Sequence, residues 1–212
     1  MFRLLKQLLE SFLRNIGGGL GKKLRYWYYR TKFKSCGKNI IIEEGVFFEN
    51  AKHISLGDNV WIDKNVILIA GEFKPNGRKY HRKGDELVNP GDLIISNNVH
   101  VAPFVLIQAH GGVKIGENVT IACGSKIYSL SHHYKNLNDQ TDKKRYAFST
   151  MAKKEDQFLI VGNVIVGDKA AVGINAVLLP GSKIPYGTWI GVSSLVKDNE
   201  MLEENSIFLS NN

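Results

Sequence analysis

From Val166 onward the chain repeats in sixes: VGDKAA, VGINAV, LLPGSK, IPYGTW, IGVSSL, VK. Val166, Val172, Leu178, Ile184, Ile190 and Val196 are aliphatic at a constant spacing, and a small side chain follows four residues after each of the first five (Ala170, Ala176, Ser182, Thr188, Ser194). Ile, Leu and Val are 56 of 212 residues, so six in register arise by chance in about one frame in 3,000. The spacing recurs at Leu56, Ile62, Leu68, at Ile95, Val101, Ile107 and at Ile115, Ile121, Ile127. A period of six fits neither a 3.6-residue helix nor a strand that alternates every second residue. It fits an all-β solenoid, a parallel β-helix in which each hexad is one short strand and one corner and three hexads close a triangular coil of about eighteen residues. The aliphatic residue points into the prism and the small one fits the corner. Gly57, Gly116, Gly167, Gly173 and Gly191, each directly after its aliphatic residue, suit the same tight geometry.

The repeat is interrupted after Leu68 (about 70–94), after Ile107 (109–114) and after Ile127 (129–160). Each break follows the third aliphatic position of its set, so the insertions leave the prism at one common corner. A rigid solenoid with its long loops gathered along one edge is a scaffold for a site. The domain organisation expected is a leader over 1–34, a β-helix over 35–200 with insertions at 70–94 and 129–160, and a tail over 201–212.

The formal net charge of +8 divides unevenly. Residues 1–38 carry ten Lys or Arg against Glu10 alone; the remaining 174 residues carry 18 basic and 19 acidic side chains. A neutral body with a cationic leader is not the profile of a nucleic-acid binder, whose positive charge belongs to the folded domain. Leu5, Leu8, Leu9, Phe12 and Ile16 recur at helical spacing and the triple glycine Gly17–Gly19 ends that helix. The stretch KKLRYWYYRTKFK at 22–34 interleaves aromatics with cations, a composition suited to a membrane–water interface. The apolar stripe either packs on the domain or a sister subunit, or contacts a membrane surface. No apolar run reaches transmembrane length, and Lys6, Gln7 and Glu10 break any signal-peptide core. A cytoplasmic protein, peripheral at the inner membrane face where the leader engages it, is expected. Cys36 and Cys123 are expected to be reduced and buried.

The segments IGENVTIACGSKIYSLSHHY (115–134) and VGDKAAVGINAVLLPGSKIPYGTWIGVSSLVKD (166–198) resemble the left-handed β-helix acyltransferases, and within them the bacterial sugar and polysaccharide O-acetyltransferases. The likeness covers roughly residues 35–198. It implies a left-handed prism, a homotrimer, and acetyl-CoA as co-substrate along the cleft between neighbouring prisms. It further implies acetyl transfer to a hydroxyl of a sugar acceptor in a capsule or lipopolysaccharide polysaccharide or its precursor. An antibiotic or amino-sugar N-acetyltransferase of the same fold, or a non-catalytic scaffold, are the alternatives. The family's catalytic histidine opens the loop after an Ile-Tyr-Thr-like strand end, which falls on His132 in IYSLSHHY; His133 and Tyr134 follow as substrate-contact candidates. For the cofactor, the matching stretches put the pantetheine arm beside Gly173 and Ile174 and the adenosine end near Val192, Ser193 and Lys197. Two departures stand out: Ala171-Val172-Gly173 replaces a usual Trp-Ile-Gly, and Phe104 replaces a polar residue that supports maltose- or galactoside-type acceptors.

The residues themselves agree with that chemistry. An alcohol is a weak nucleophile near neutral pH and needs a base, and histidine is the natural one. Of six histidines, His53 and His100 each precede an inward aliphatic residue and should face outward, and His81 sits in a basic loop (77–86). His110 occupies the same corner one coil before His132, opposite Leu130, and is a second candidate for contact with the acceptor. The zinc carbonic anhydrases that share such a prism use three histidines, two of them five residues apart; no two histidines here have that spacing, so no metal is expected.

Overall fold

The computed structural model describes residues 2–198 and 200–210. Three parallel sheets form the faces of a left-handed β-helix. The first sheet runs from Ser35–Cys36 to Lys183–Ile184, the second from Ile41–Ile42 to Ile207–Phe208, and the third from Phe47–Glu49 to Leu195–Val196. The chain visits them in rotation, so the hexad positions become vertical ladders. Leu56, Ile95, Ile115, Val166 and Ile184 are successive partners in the first sheet. Ile62, Val101, Ile121, Val172 and Ile190 do the same in the second, and Leu68, Ile107, Ile127, Leu178 and Val196 in the third. Every one is buried. Burying such a side chain contributes about 1.5–3 kcal/mol, and the ladder repeats that contribution at each face of each coil. The small residues Ala170, Ala176, Ser182, Thr188 and Ser194 are also buried, as their corner positions require.

Another regularity holds the corner between the first and second sheets. Asn39, Asn59, Asn98 and Asn118 have φ of 56–58°, a left-handed conformation that asparagine tolerates better than most side-chain-bearing residues. Their carboxamides stack in line: Asn39 Nδ2 donates to Asn59 Oδ1 at 3.0 Å, Asn59 Nδ2 to Asn98 Oδ1 at 2.9 Å, and Asn98 Nδ2 to Asn118 Oδ1 at 3.1 Å.

The solenoid's N-terminal end is closed by a helical hairpin, α1 (Phe2–Asn15) and α2 (Gly18–Tyr29). The glycine triplet does more than end a helix: Gly17 is extended and Gly18 and Gly19 open the second helix. Gly21 lets that helix pass against the Ile16 carbonyl, where a Cβ would collide. Tyr29 and Phe33 cover the first coil through Phe48, with ring centroids 4.6 and 5.1 Å from it. Arg25 is fully buried. Its Nε donates to Ile42 O (2.9 Å) and its Nη1 to Leu13 O (2.9 Å) and Ile16 O (2.6 Å), joining the hairpin's turn to the prism. Burial lowers its pKa, opposed by Glu43 and Glu44.

Three expectations need correction. Cys123 is exposed and Cys36 half-buried; Cys123 stands at a corner just before Gly124 (φ 71°), on the turn and off the inward ladder. The segment over 201–212 contributes Ile207–Phe208, which pairs with Trp189–Ile190 and extends the second sheet. The basic loop around His81 contains a strand, Lys79–Lys83.

Candidate active site

All the long insertions leave at the corner between the third and first sheets, and outside the prism they build a sheet of their own. Leu130–His132 pairs antiparallel with Phe158–Gly162, His132 facing Leu159. Phe158–Gly162 pairs in parallel with Lys79–Lys83, Ile160 facing His81. The central strand, FLIVG, is buried along its whole length, as a strand covered on both faces must be. His81 is used structurally, its Nδ1 lying 2.6 Å from Asn138 Oδ1.

Between this small sheet and the corner lies a cavity of about 360 Å³ bearing both His110 and His132. Gln108 faces Tyr128 in the ladder below, so the register carries His110 to the level of Leu130, as the spacing predicts. His110 Nδ1 is 2.7 Å from the Gly71 carbonyl oxygen. A carbonyl only accepts, so Nδ1 carries a proton, and in the neutral ring Nε2 is then the acceptor. His132 is half-buried and its Nε2 is buried without a hydrogen-bond partner among the described residues. Such a group is costly to leave unmade in a finished interior. His132 lines the cavity, where a bound ligand would supply the missing partner.

The corner beneath the histidines is built to hold still. Ser129 is buried; its Oγ donates to Gln108 O (2.7 Å) and accepts from Gly111 N (2.8 Å). Gly112 has φ 93°, and a Cβ on Gly111 would strike the Ser129 carbonyl. Asn163, 3% exposed, satisfies four backbone groups at once. Its Oδ1 accepts from Leu87 N (2.5 Å) and Val88 N (2.8 Å), and its Nδ2 donates to Val88 O (2.9 Å) and Gly111 O (2.5 Å). One carboxamide thus clamps the first insertion to the glycine pair after His110.

The rest of the wall comes from the insertions. Arg78 Nε donates to Gln157 Oε1 at 3.0 Å, and Gln157 Nε2 to Ala152 O at 2.6 Å, which aligns both loops beside the cavity. Further out, Asp142 Oδ2 accepts from Asn136 Nδ2 (2.9 Å) and Tyr146 Oη (2.7 Å), and Lys79 Nζ lies 3.4 Å away. Bonds from Asn136 and Tyr146 and from the Lys144 amide hold this carboxyl well below the usual carboxylate range.

His133 and Tyr134 belong to the same loop but do not line the cavity. His133 Nδ1 is 2.9 Å from Lys135 O and its ring lies 4.8 Å from that of Tyr134, over which Arg145 sits at 4.9 Å. The cofactor candidates stand elsewhere. Gly173, Ile174, Val192 and Ser193 are at the corner between the second and third sheets, with Ile174 and Val192 exposed. Phe104 shares that corner, exposed and at φ 61°, an unusual conformation for a bulky residue. Lys197 follows the last strand of the third sheet, beside a separate hollow with Leu195 and Phe208. The third sheet, whose strands run two or three residues in each coil, separates the Ile174 corner from the His132 corner. Sequence reasoning missed Glu72, Phe73, Lys74, Arg78 and Gln157 as site residues; they lie in insertions, where no period marks them.

No protein-family model matches the chain. It is 26% identical over 167 residues to a dTDP-4-amino-4,6-dideoxy-D-glucose acyltransferase of Escherichia coli, covering 79% of this chain and 73% of the relative. Among solved structures it is similar to AntD, an N-acyltransferase from Bacillus cereus in complex with dTDP and coenzyme A (TM-score 0.66, 21% identity, 86% of this chain and 82% of that one). It is also similar to a maltose O-acetyltransferase from Clostridium difficile (TM-score 0.50, 17% identity, 93% and 75%). At such identities these two likenesses are of fold. Repeat and prism are those of a left-handed β-helix of hexapeptide repeats, and the chain is similar to acyltransferases that share it.

Proposed function

We propose that this protein transfers an acyl group from an acyl-CoA, acetyl-CoA in the simplest case, to a nucleophile on a sugar, with His132 as general base. The observation that carries the reading is the unpartnered, buried Nε2 of His132 in a cavity shared with a tautomer-fixed His110. In the reaction the acceptor's hydroxyl or amine attacks the thioester carbonyl while His132 Nε2 takes its proton. The tetrahedral oxyanion collapses, the C–S bond breaks, and the imidazolium returns the proton to the departing thiolate, leaving acylated sugar and free CoA. His110 Nε2 accepts a hydrogen bond from the acceptor and orients it, the contribution that proximity makes to such a transfer.

Two observations favour an amino sugar linked to a nucleotide over a neutral polysaccharide hydroxyl. The curated relative acts on a dTDP-amino sugar, and the cavity wall carries Lys74, Arg78 and Phe73, which suit a diphosphate and a base. O-acetylation of a sugar destined for surface polysaccharide is the second reading, supported by the match of IYSLSHH to that branch. The pantetheine corner (Gly173, Ile174, Val192, Ser193) and His132 occupy different corners of one prism. A homotrimer, in which one copy's Ile174 corner faces its neighbour's His132 corner, supplies both halves of the site.

The test is release of CoA thiol from acetyl-CoA by purified protein, with dTDP-4-amino-4,6-dideoxyglucose and with hydroxyl-only sugars as acceptors. Turnover should depend on the amino sugar, and His132→Ala should lower kcat about 10²–10⁴-fold with acetyl-CoA affinity retained. Turnover with none of these acceptors, or a His132→Ala enzyme within a few-fold of the parent, overturns the reading.

A further inference from the structure

The first helix is mounted inside out. An amphipathic helix on a globular domain ordinarily turns its apolar stripe to the core. In α1 the side facing the body carries Lys6, Glu10, Leu13 and Arg14: Glu10 accepts a hydrogen bond from Tyr28 Oη (2.9 Å), Leu13 is 6% exposed, and Arg14 lies over the Phe47 ring at 4.9 Å. Leu4, Leu5, Leu8, Leu9 and Phe12 point the other way, Leu8 at 68% and Phe12 at 67% exposure, and Leu20 and Trp27 of α2 add to the exposed apolar surface. A stripe of this size exposed in water calls for an occupant.

The surroundings select one. Beside α1, between the hairpin and the first coil, is a hollow of about 520 Å³ edged by Lys6, Arg14, Lys32 and Lys52. Arg14 Nε is buried there without a hydrogen-bond partner among the described residues. Glu10 and Glu49 also border it, so the rim is net cationic. An apolar stripe on a strongly cationic leader, ten Lys or Arg against Glu10 in residues 1–38, complements an anionic bilayer: the leucines and Phe12 enter below the headgroups while the cations are attracted to the phosphates. We infer that α1 docks this protein flat on an anionic phospholipid surface, its apolar stripe inserted and the cations of the hairpin and first coil drawn to the headgroup phosphates. Among the described residues no helix is long and apolar enough to cross a membrane, so the contact is interfacial. The inference is independent of the acyl-transfer chemistry.

Sedimentation of the full-length protein with phosphatidylcholine vesicles, with and without phosphatidylglycerol, tests it. Binding should require phosphatidylglycerol and weaken as salt rises. Leu8→Asp/Phe12→Asp should abolish binding; both side chains are exposed, so the thermal transition should be unchanged. Lys32→Gln/Lys52→Gln should weaken binding about 25-fold, at about fivefold for each cation near the surface. Full-length protein that ignores phosphatidylglycerol vesicles at low salt refutes the proposal. So does a Leu8→Asp/Phe12→Asp variant that binds normally, or one whose subunit assembly by light scattering is lost, which would assign the stripe to a second copy of the chain.

Discussion

Asn163 offers the sharpest test of how the site is held. Replacing it with alanine leaves the amides of Leu87 and Val88 without their acceptor and the carbonyls of Val88 and Gly111 without this donor, all around a side chain 3% exposed. A buried polar group left unpaired costs about 1–3 kcal/mol; with partial rehydration of the cavity, the four together should cost about 3–5 kcal/mol. The loss is local before it is global, because the ladders of the prism do not depend on this residue. Amide exchange at Leu87, Val88 and Gly112 should therefore accelerate more than exchange at Ile107 or Ile127, and kcat/KM should fall as Gly71 and His110 lose their fixed relation. Asn163→Asp separates hydrogen bonding from volume. It keeps the acceptor for the two amides but points a carboxylate oxygen at two carbonyl oxygens, so the folded state favours the protonated acid and the folded pKa rises above the unfolded one. Stability of that variant is then fullest below the unfolded pKa and is lost as pH rises through the folded pKa. Melting temperatures across pH check this. An alanine variant within about 1 kcal/mol of the parent, or an aspartate variant whose deficit does not change with pH, refutes the clamp.

Arg25→Met retains the buried stem and removes the donors to Leu13 O, Ile16 O and Ile42 O; with the charge's desolvation recovered, it should destabilise the hairpin by about 2–3 kcal/mol, read as faster proteolysis within residues 2–29 while the prism persists. Asp142 has a folded pKa below its unfolded value, so its contribution to loop order is present above the unfolded pKa and lost as pH falls through the folded one; Asp142→Asn should abolish that acid-side dependence in a proteolysis assay of residues 133–157. Arg78→Ala should raise the acceptor's KM at least several-fold while leaving that of acetyl-CoA unchanged, because Arg78 lines the cavity beside Gln157; equal effects on both would contradict its placement.

How much of this could be read beforehand follows from where periodic constraint acts. Val166, Val172 and Leu178 had to be aliphatic because each coil presents the same inward position, and a sequence under that constraint displays its fold openly. The common corner of the insertions was legible for the same reason, since three breaks after third positions can exit at one edge alone. His110 and His132 inherit that legibility, their heights being set by the Gln108–Tyr128 register. Outside the ladder the constraint changes kind. Asn163, Gln157 and Asp142 work through hydrogen bonds to partners as far away as Leu87 and Arg78, and no local pattern marks a residue whose partners lie 76 or 79 positions off. The strand at Lys79–Lys83 was hidden likewise: KYHRK has the composition of a solvated loop and becomes a strand because FLIVG, two insertions away, offers it an edge. The helix α1 is the reverse case. Its amphipathic pattern was plain, but which face meets the body depends on Glu10 and Arg14 finding Tyr28 and Phe47. Those contacts turn the leucines outward, and of the destinations the pattern left open for the stripe, its own domain is the one the structure removes.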